Sequence, residues 1–90
     1  MKRVRIDCEQ VHSEDDFHDI VSREFSFPHY YGRNPNAFWD CLTEVFDETR
    51  VHVSGYASLQ QELKSMISQY LDMMKEYEER RKGQFSVQIE

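Results

Sequence analysis

The chain has little with which to cross-link itself and nothing long enough to cross a membrane. Its only cysteines are Cys8 and Cys41. A small secreted domain stapled by disulfides needs more, and no C-x2-C zinc spacing occurs, so both read as reduced thiols. No apolar run approaches the length of a membrane span. The opening residues, Met1-Lys2-Arg3-Val4-Arg5-Ile6-Asp7, have no long apolar stretch behind their charges and do not read as a signal peptide. There is no linker, internal repeat or low-complexity tract. Positive charge is also short: 11 Lys and Arg stand against 17 Asp and Glu, a formal charge of −6. That balance argues against nucleic acid, whose affinity comes largely from bases neutralising phosphates. It argues equally against an anionic membrane surface. The expectation is a cytoplasmic protein, and the partner suited to it is a basic protein, attracted from a distance at low salt.

Aromatic residues are what the chain has in plenty. Six Phe, five Tyr and one Trp within 90 residues can fill one compact core. Disorder is therefore not expected despite the charge. A second core has no room, so residues 1–90 read as a single domain.

Three short segments alternate apolar and polar residues: Val4 and Ile6; Val51 and Val53 around His52; and Phe85, Val87 and Ile89. They read as strands with one buried face. Helical segments separate them, so the strands can run parallel through right-handed crossovers. Strict alternation in a parallel sheet implies that helices crowd one face and leave the other wet. The fold class expected is α/β, a three-stranded parallel sheet with helices mainly on one face.

The first helix is expected from Ser13, which with Asp16 resembles a capping box. Phe17, Ile20, Val21 and Phe25 form its apolar stripe, and Phe27-Pro28 ends it. The second starts at Asn34 as cap with Pro35 in the first position. Its core stripe reads Phe38, Cys41, Leu42, Val45 and Phe46, with Trp39 at the boundary and Asn36, Asp40, Thr43 and Glu44 opposite. From Ser58 to about Arg81, apolar residues recur every three or four positions, giving one long helix or two in tandem. Gly83 suits the position after its end.

The stretch from Pro28 to Leu42 concentrates binding-competent groups. It holds Tyr30, Tyr31, Gly32, Trp39 and Asp40 on one loop and the helix that follows. Tyr and Trp anchor interfaces, and an acid beside them suits a cationic partner. One tyrosine should pack inward and the other outward. Gly32 should supply a backbone conformation that a side chain would obstruct. Asp40 is the acid singled out, with Glu44 one turn on. Taken alone it is an ordinary solvated acid; its aromatic setting is what raises it.

Catalytic patterns are missing. Serine nucleophile elbows, phosphate loops and metalloprotease helices are absent. Cys8 and His12 gain no further ligands at metal spacing. Cys41 lies on the buried stripe, where a thiol acts as a small hydrophobe. The chain is expected to be no enzyme and to need no metal or cofactor. A small enzyme or metal protein would rest only on Cys41 and the histidines.

The pattern Pro28-x-Tyr30-Tyr31-Gly32-x-Asn34-x-x-Ala37-x-Trp39-Asp40-Cys41-Leu42-Thr43 resembles the barstar family, intracellular inhibitors of barnase-like guanyl-specific ribonucleases. The length and the β-α-α-β-α-β order match as well. The resemblance implies a one-to-one complex, formed by a free monomer, in which this helix and loop enter the nuclease active site. Asp40 would take the phosphate-binding pocket, Tyr30 would pack on the catalytic region, and Gly32 and Asn34 would touch the partner through the loop. Trp39 would support the helix. Asn36 stands where the best-known member has a second acid, and Arg33 where it has an acid after the glycine. On the last helix the matching acid is Glu76, with Glu78 and Glu79 as alternatives. The partner-binding set is then Tyr30, Gly32, Asn34, Asn36, Trp39, Asp40, Glu44 and Glu76. Arg33 and Asn36 leave open a second reading, a module on the same scaffold that sequesters a different basic protein or toxin.

Overall fold

Alternation in the strands sets the architecture. In the computed structural model, which describes residues 1–90, Val4, Ile6, Val51 and Val53 are buried while Arg3, Arg5 and His52 face solvent. Three strands result: β1 (Lys2–Asp7), β2 (Thr49–Ser54) and β3 (Phe85–Ile89). They form one parallel sheet in the order β1-β2-β3. The register aligns Val4, Val51 and Val87 in one row and Ile6, Val53 and Ile89 in the next. A slip of one residue would turn these rows to the wet face, so burial fixes the pairing.

At each sheet edge a glutamate accepts one of the strand's outward N–H groups. On β1, the Arg5 N–H donates to Glu24 Oε1 at 3.0 Å. On β3, the Val87 N–H donates to Glu78 Oε2 at 3.1 Å, and the Phe85 N–H to the Arg81 carbonyl at 3.0 Å. Unpaired edges otherwise invite another chain.

Helix α1 (Glu14–Phe25) starts as its sequence demands, with Ser13 Oγ accepting the Asp16 N–H at 3.2 Å. The return half of the capping box falls one residue early: Asp16 Oδ2 accepts from His12 N–H at 2.9 Å. Ser26, in the left-handed region at φ 60°, ends the helix.

Helix α2 (Pro35–Leu42) is capped by Asn34, whose Oδ1 accepts the Ala37 N–H at 2.8 Å. It ends sooner than its apolar spacing suggests. Val45 and Phe46 lie beyond it, and Phe46 is 74 % exposed rather than part of the core. Two causes act. The Thr43 hydroxyl donates to the Trp39 carbonyl at 2.9 Å, competing with helix continuation. Arg81, from far along the chain, donates to the carbonyls of Val45 at 2.7 Å and Phe46 at 2.9 Å. Cys41 is half-buried, not fully enclosed.

The long apolar period resolves into one helix, α3 (Gln61–Arg80), preceded by a short 3-10 turn at Tyr56–Ser58. Leu59 is extended and off the helix, though it packs on the core. Arg81 caps the end, so Gly83, at φ 84°, serves the turn into β3 rather than the position next to the cap. The buried side chains form a single cluster between the sheet's inner face and the helices.

Candidate functional site

The loop before α2 is held from beneath. Phe27 stacks on Phe25 at 5.2 Å and meets Phe38 edge-on at 5.8 Å. Tyr31 turns inward, and its hydroxyl lies 2.8 Å from His18 Nδ1. Tyr30, its neighbour, is 75 % exposed. The pair therefore splits inward and outward as expected.

His18 is the residue the apolar stripe does not reveal. It is 1 % exposed, with Nε2 at 3.4 Å from both Glu14 Oε2 and the Tyr70 hydroxyl. A carboxylate can only accept, so Nε2 carries the proton and Nδ1 accepts from Tyr31. Burial pushes the His18 pKa below its ordinary value, with the nearby Glu14 opposing. His18 thereby ties α1, the loop and α3 together as a neutral imidazole. A helical wheel could have found it, since position 18 shares a face with Val21 and Phe25.

Gly32 is needed for space, not for an unusual dihedral. A Cβ there would stand 3.1 Å from Ala37 Cβ and 3.3 Å from Asn34 Nδ2. The left-handed residue is Arg33, at φ 56°. That turn sends its guanidinium back to α1, where Nη2 lies 2.9 Å from Asp19 Oδ1, 2.9 Å from the Asp15 carbonyl and 3.4 Å from Asp15 Oδ1. The hydrogen bond to Asp19, above all, raises the Arg33 pKa further. Its charge is spent inside the chain. Asn34 is similarly committed: besides capping α2, its Nδ2 donates to the Gly32 carbonyl at 3.1 Å.

Asp40 is the contrast. It is exposed on α2 and belongs to none of the chain's ion pairs. It lines a shallow groove between α2 and α3 with Pro35, Asn36, Trp39, Met73 and Glu76. Trp39, half-buried, meets Tyr77 edge-on at 6.3 Å, and the Arg80 guanidinium lies 5.1 Å above its ring. Four of the expected residues thus share one surface: Asn36, Trp39, Asp40 and Glu76. Tyr30, Gly32 and Asn34 sit on the loop leading into it. Glu44 lies elsewhere, in a depression with Lys2, Cys41 and Phe46, because the chain leaves the helix before reaching it.

The three acids near the end of α3 also separate. Glu78 is occupied by the edge of β3, and Glu79 pairs with Lys82 at 3.5 Å. Glu76 is the acid that lines the groove. Both thiols are held protonated: burial, then Asp7, pushes Cys8 up to about 11, and burial, then Glu44 and Asp40, raises Cys41. Neither is poised as a nucleophile.

Comparison with known proteins decides the lineage. The family described as Barstar (barnase inhibitor) matches residues 1–90. The chain belongs to the barstar family. A barstar-family reading also fits a relative from Bacillus subtilis (strain 168), "Putative ribonuclease inhibitor YrdF", which is 31 % identical over 91 residues covering all of both chains. The three-stranded parallel sheet and its three helices agree with a barstar-like α/β fold.

Proposed function

We propose that this barstar-family protein inhibits a barnase-like ribonuclease, as the immunity partner of a toxin, by covering its active site with α2 and the loop before it. The observation that carries this is the groove in which Asn36, Trp39, Asp40 and Glu76 meet, with the Asp40 carboxylate unpartnered. A ribonuclease active site must be cationic because it binds phosphate. An exposed carboxylate on a rigid helix is complementary to such a pocket and can accept charge-assisted hydrogen bonds from its Arg and His groups. Tyr30, exposed on the loop before α2, offers a flat apolar face to pack on the catalytic region. Gly32 lets the partner's backbone come close. The complex is one-to-one, forms in the cytoplasm from a free monomer, and carries out no chemistry of its own.

The net charge of −6 favours steered encounter with a basic nuclease. The barnase–barstar pair is a familiar example of such steering. Association should therefore slow as salt rises. The direct test is inhibition of a barnase-like ribonuclease by the purified chain, and its loss in Asp40→Ala. An Asp40→Ala protein that inhibits as tightly as the wild type would remove the proposed plug.

A second reading is a barstar-like module that sequesters another basic protein. Asn36 favours it, being neutral in the groove where the family resemblance leads one to expect an acid. Capture from a native lysate, read by mass spectrometry, separates the two; a non-nuclease partner would decide for the module.

A further inference from the structure

A cation stands next to two residues of the groove proposed to receive a cationic enzyme. Arg80 stands one turn beyond Glu76 on α3, its guanidinium 5.1 Å above the Trp39 ring and its Nη2 4.0 Å from Glu76 Oε1. The side chains of Arg80 and Glu76 are 62 % and 59 % exposed, so water screens their attraction. Two other arginines are used differently. Arg81 is committed to the carbonyls of Val45 and Phe46 and to the Tyr77 hydroxyl, all within 2.9 Å. Arg33 is clamped by Asp15 and Asp19. A guanidinium has five N–H donors. Arg80 makes no hydrogen bond through any of them, only the long contact to Glu76.

We infer that Arg80 is a specificity-determining residue of the interface, and that the cognate ribonuclease presents a carboxylate to it, beside the cationic pocket that takes Asp40. This rests on the inhibitor reading. A like charge brought against a desolvating cationic surface is costly, so a uniformly basic rim is rejected. A rim bearing an acid is accepted, because the planar guanidinium can bind it in bidentate fashion while still lying over Trp39. Moving Arg80 onto that acid also releases Glu76, whose carboxylate then becomes available to a partner cation. The groove selects a mixed pattern of charge, a cationic pocket with an acid on its rim.

The test uses a barnase-like ribonuclease that the wild-type chain inhibits, with dissociation constants for wild type, Asp40→Ala, Arg80→Ala, Arg80→Lys and Arg80→Glu. Circular dichroism and thermal melting check that each variant folds. Arg80→Glu should weaken binding at least tenfold, Arg80→Ala less, and Arg80→Lys should recover only part of the loss. Substituting the acidic residues of the ribonuclease rim one at a time should identify one whose loss cancels the Arg80→Ala effect. If Arg80→Glu binds as well as wild type or better while Asp40→Ala binds worse, Arg80 is a bystander and the inference fails alone. If no rim acid couples to Arg80, it also fails. If Asp40→Ala changes nothing, or no ribonuclease is inhibited by the wild type, the inhibitor reading itself is lost and this inference with it.

Discussion

The two sides of the α2 region are built on opposite terms. In the loop that holds it, these polar groups have partners: Tyr31 with His18, Arg33 with Asp15 and Asp19, and both ends of the Asn34 amide with backbone. On top, Asp40 has none. The lower side is spent on holding shape, so the upper side can leave its charge unspent. A carboxylate fixed in place before binding needs little further ordering when a partner arrives, which is where preorganised interfaces gain affinity.

The sharpest way to break this contrast is from below. Phe38 is fully buried under α2, among Phe25, Phe27 and Tyr70. Phe38→Ala should cost about 3–5 kcal/mol of unfolding free energy, read from urea denaturation. A loss under about 1 kcal/mol would mean that the lower side does not hold the region's shape. Asp40→Ala is the mirror case. It should cost roughly 2 kcal/mol or more of binding free energy while moving stability by no more than about 0.5 kcal/mol. A stability loss as large as the binding loss would place Asp40 on the structural side after all. Asn34→Ala removes the cap from below and should cost about 1 kcal/mol of stability. Melting curves unchanged from wild type would show the cap to be redundant with Pro35.

The mildest probe is pH. His18 faces Glu14 from its own helix, Tyr31 from the loop and Tyr70 from α3. Its pKa is lowered in the fold, so folding favours the neutral ring. The corresponding stability is complete above the ordinary value near 6.5 and declines as pH falls below it. Charging the ring turns Nδ1 from acceptor to donor, against the present direction of the Tyr31 hydrogen bond. Denaturant titrations at neutral and mildly acid pH should show the decline in wild type and a shallower one in His18→Phe. Equal slopes would take His18 out of the account.

The strands were legible because their period of two maps directly onto burial, and the row Val4, Val51, Val87 follows from it. The starts of α1 and α2 were legible because caps act within three residues of the chain. The end of α2 was not, since Arg81 sets it by reaching across the fold to Val45 and Phe46. Apolar spacing carried Phe46 into a helix that had already stopped. Gly32 drew attention as the loop's conformational exception, but Arg33 holds the left-handed dihedral because its guanidinium gains Asp15 and Asp19 there. The burial of His18 was within reach of the helical period, but its bonds to Tyr31 and Tyr70 join segments distant in sequence and were not. Within the candidate site, Asn36 and Asp40 share a surface as the helical period suggested, with Trp39 at its boundary; Glu76 beside them came from the family resemblance, and Glu44, expected on the same face, lies elsewhere. The separation of Glu78 from Glu76 needed the third strand to be in place, while Glu79 is drawn to Lys82 just beyond the helix.

That third strand has a consequence for how the molecule can be approached. With Glu24 set against one margin of the sheet and Glu78 against the other, neither offers a ready template for an incoming strand. The sheet is finished at three strands. Recognition through shared backbone, which tolerates almost any sequence, is discouraged at both margins, leaving side chains on the helices and their loop as the vocabulary of contact. Such a surface can change its partner by exchanging a few residues while the scaffold beneath stays the same.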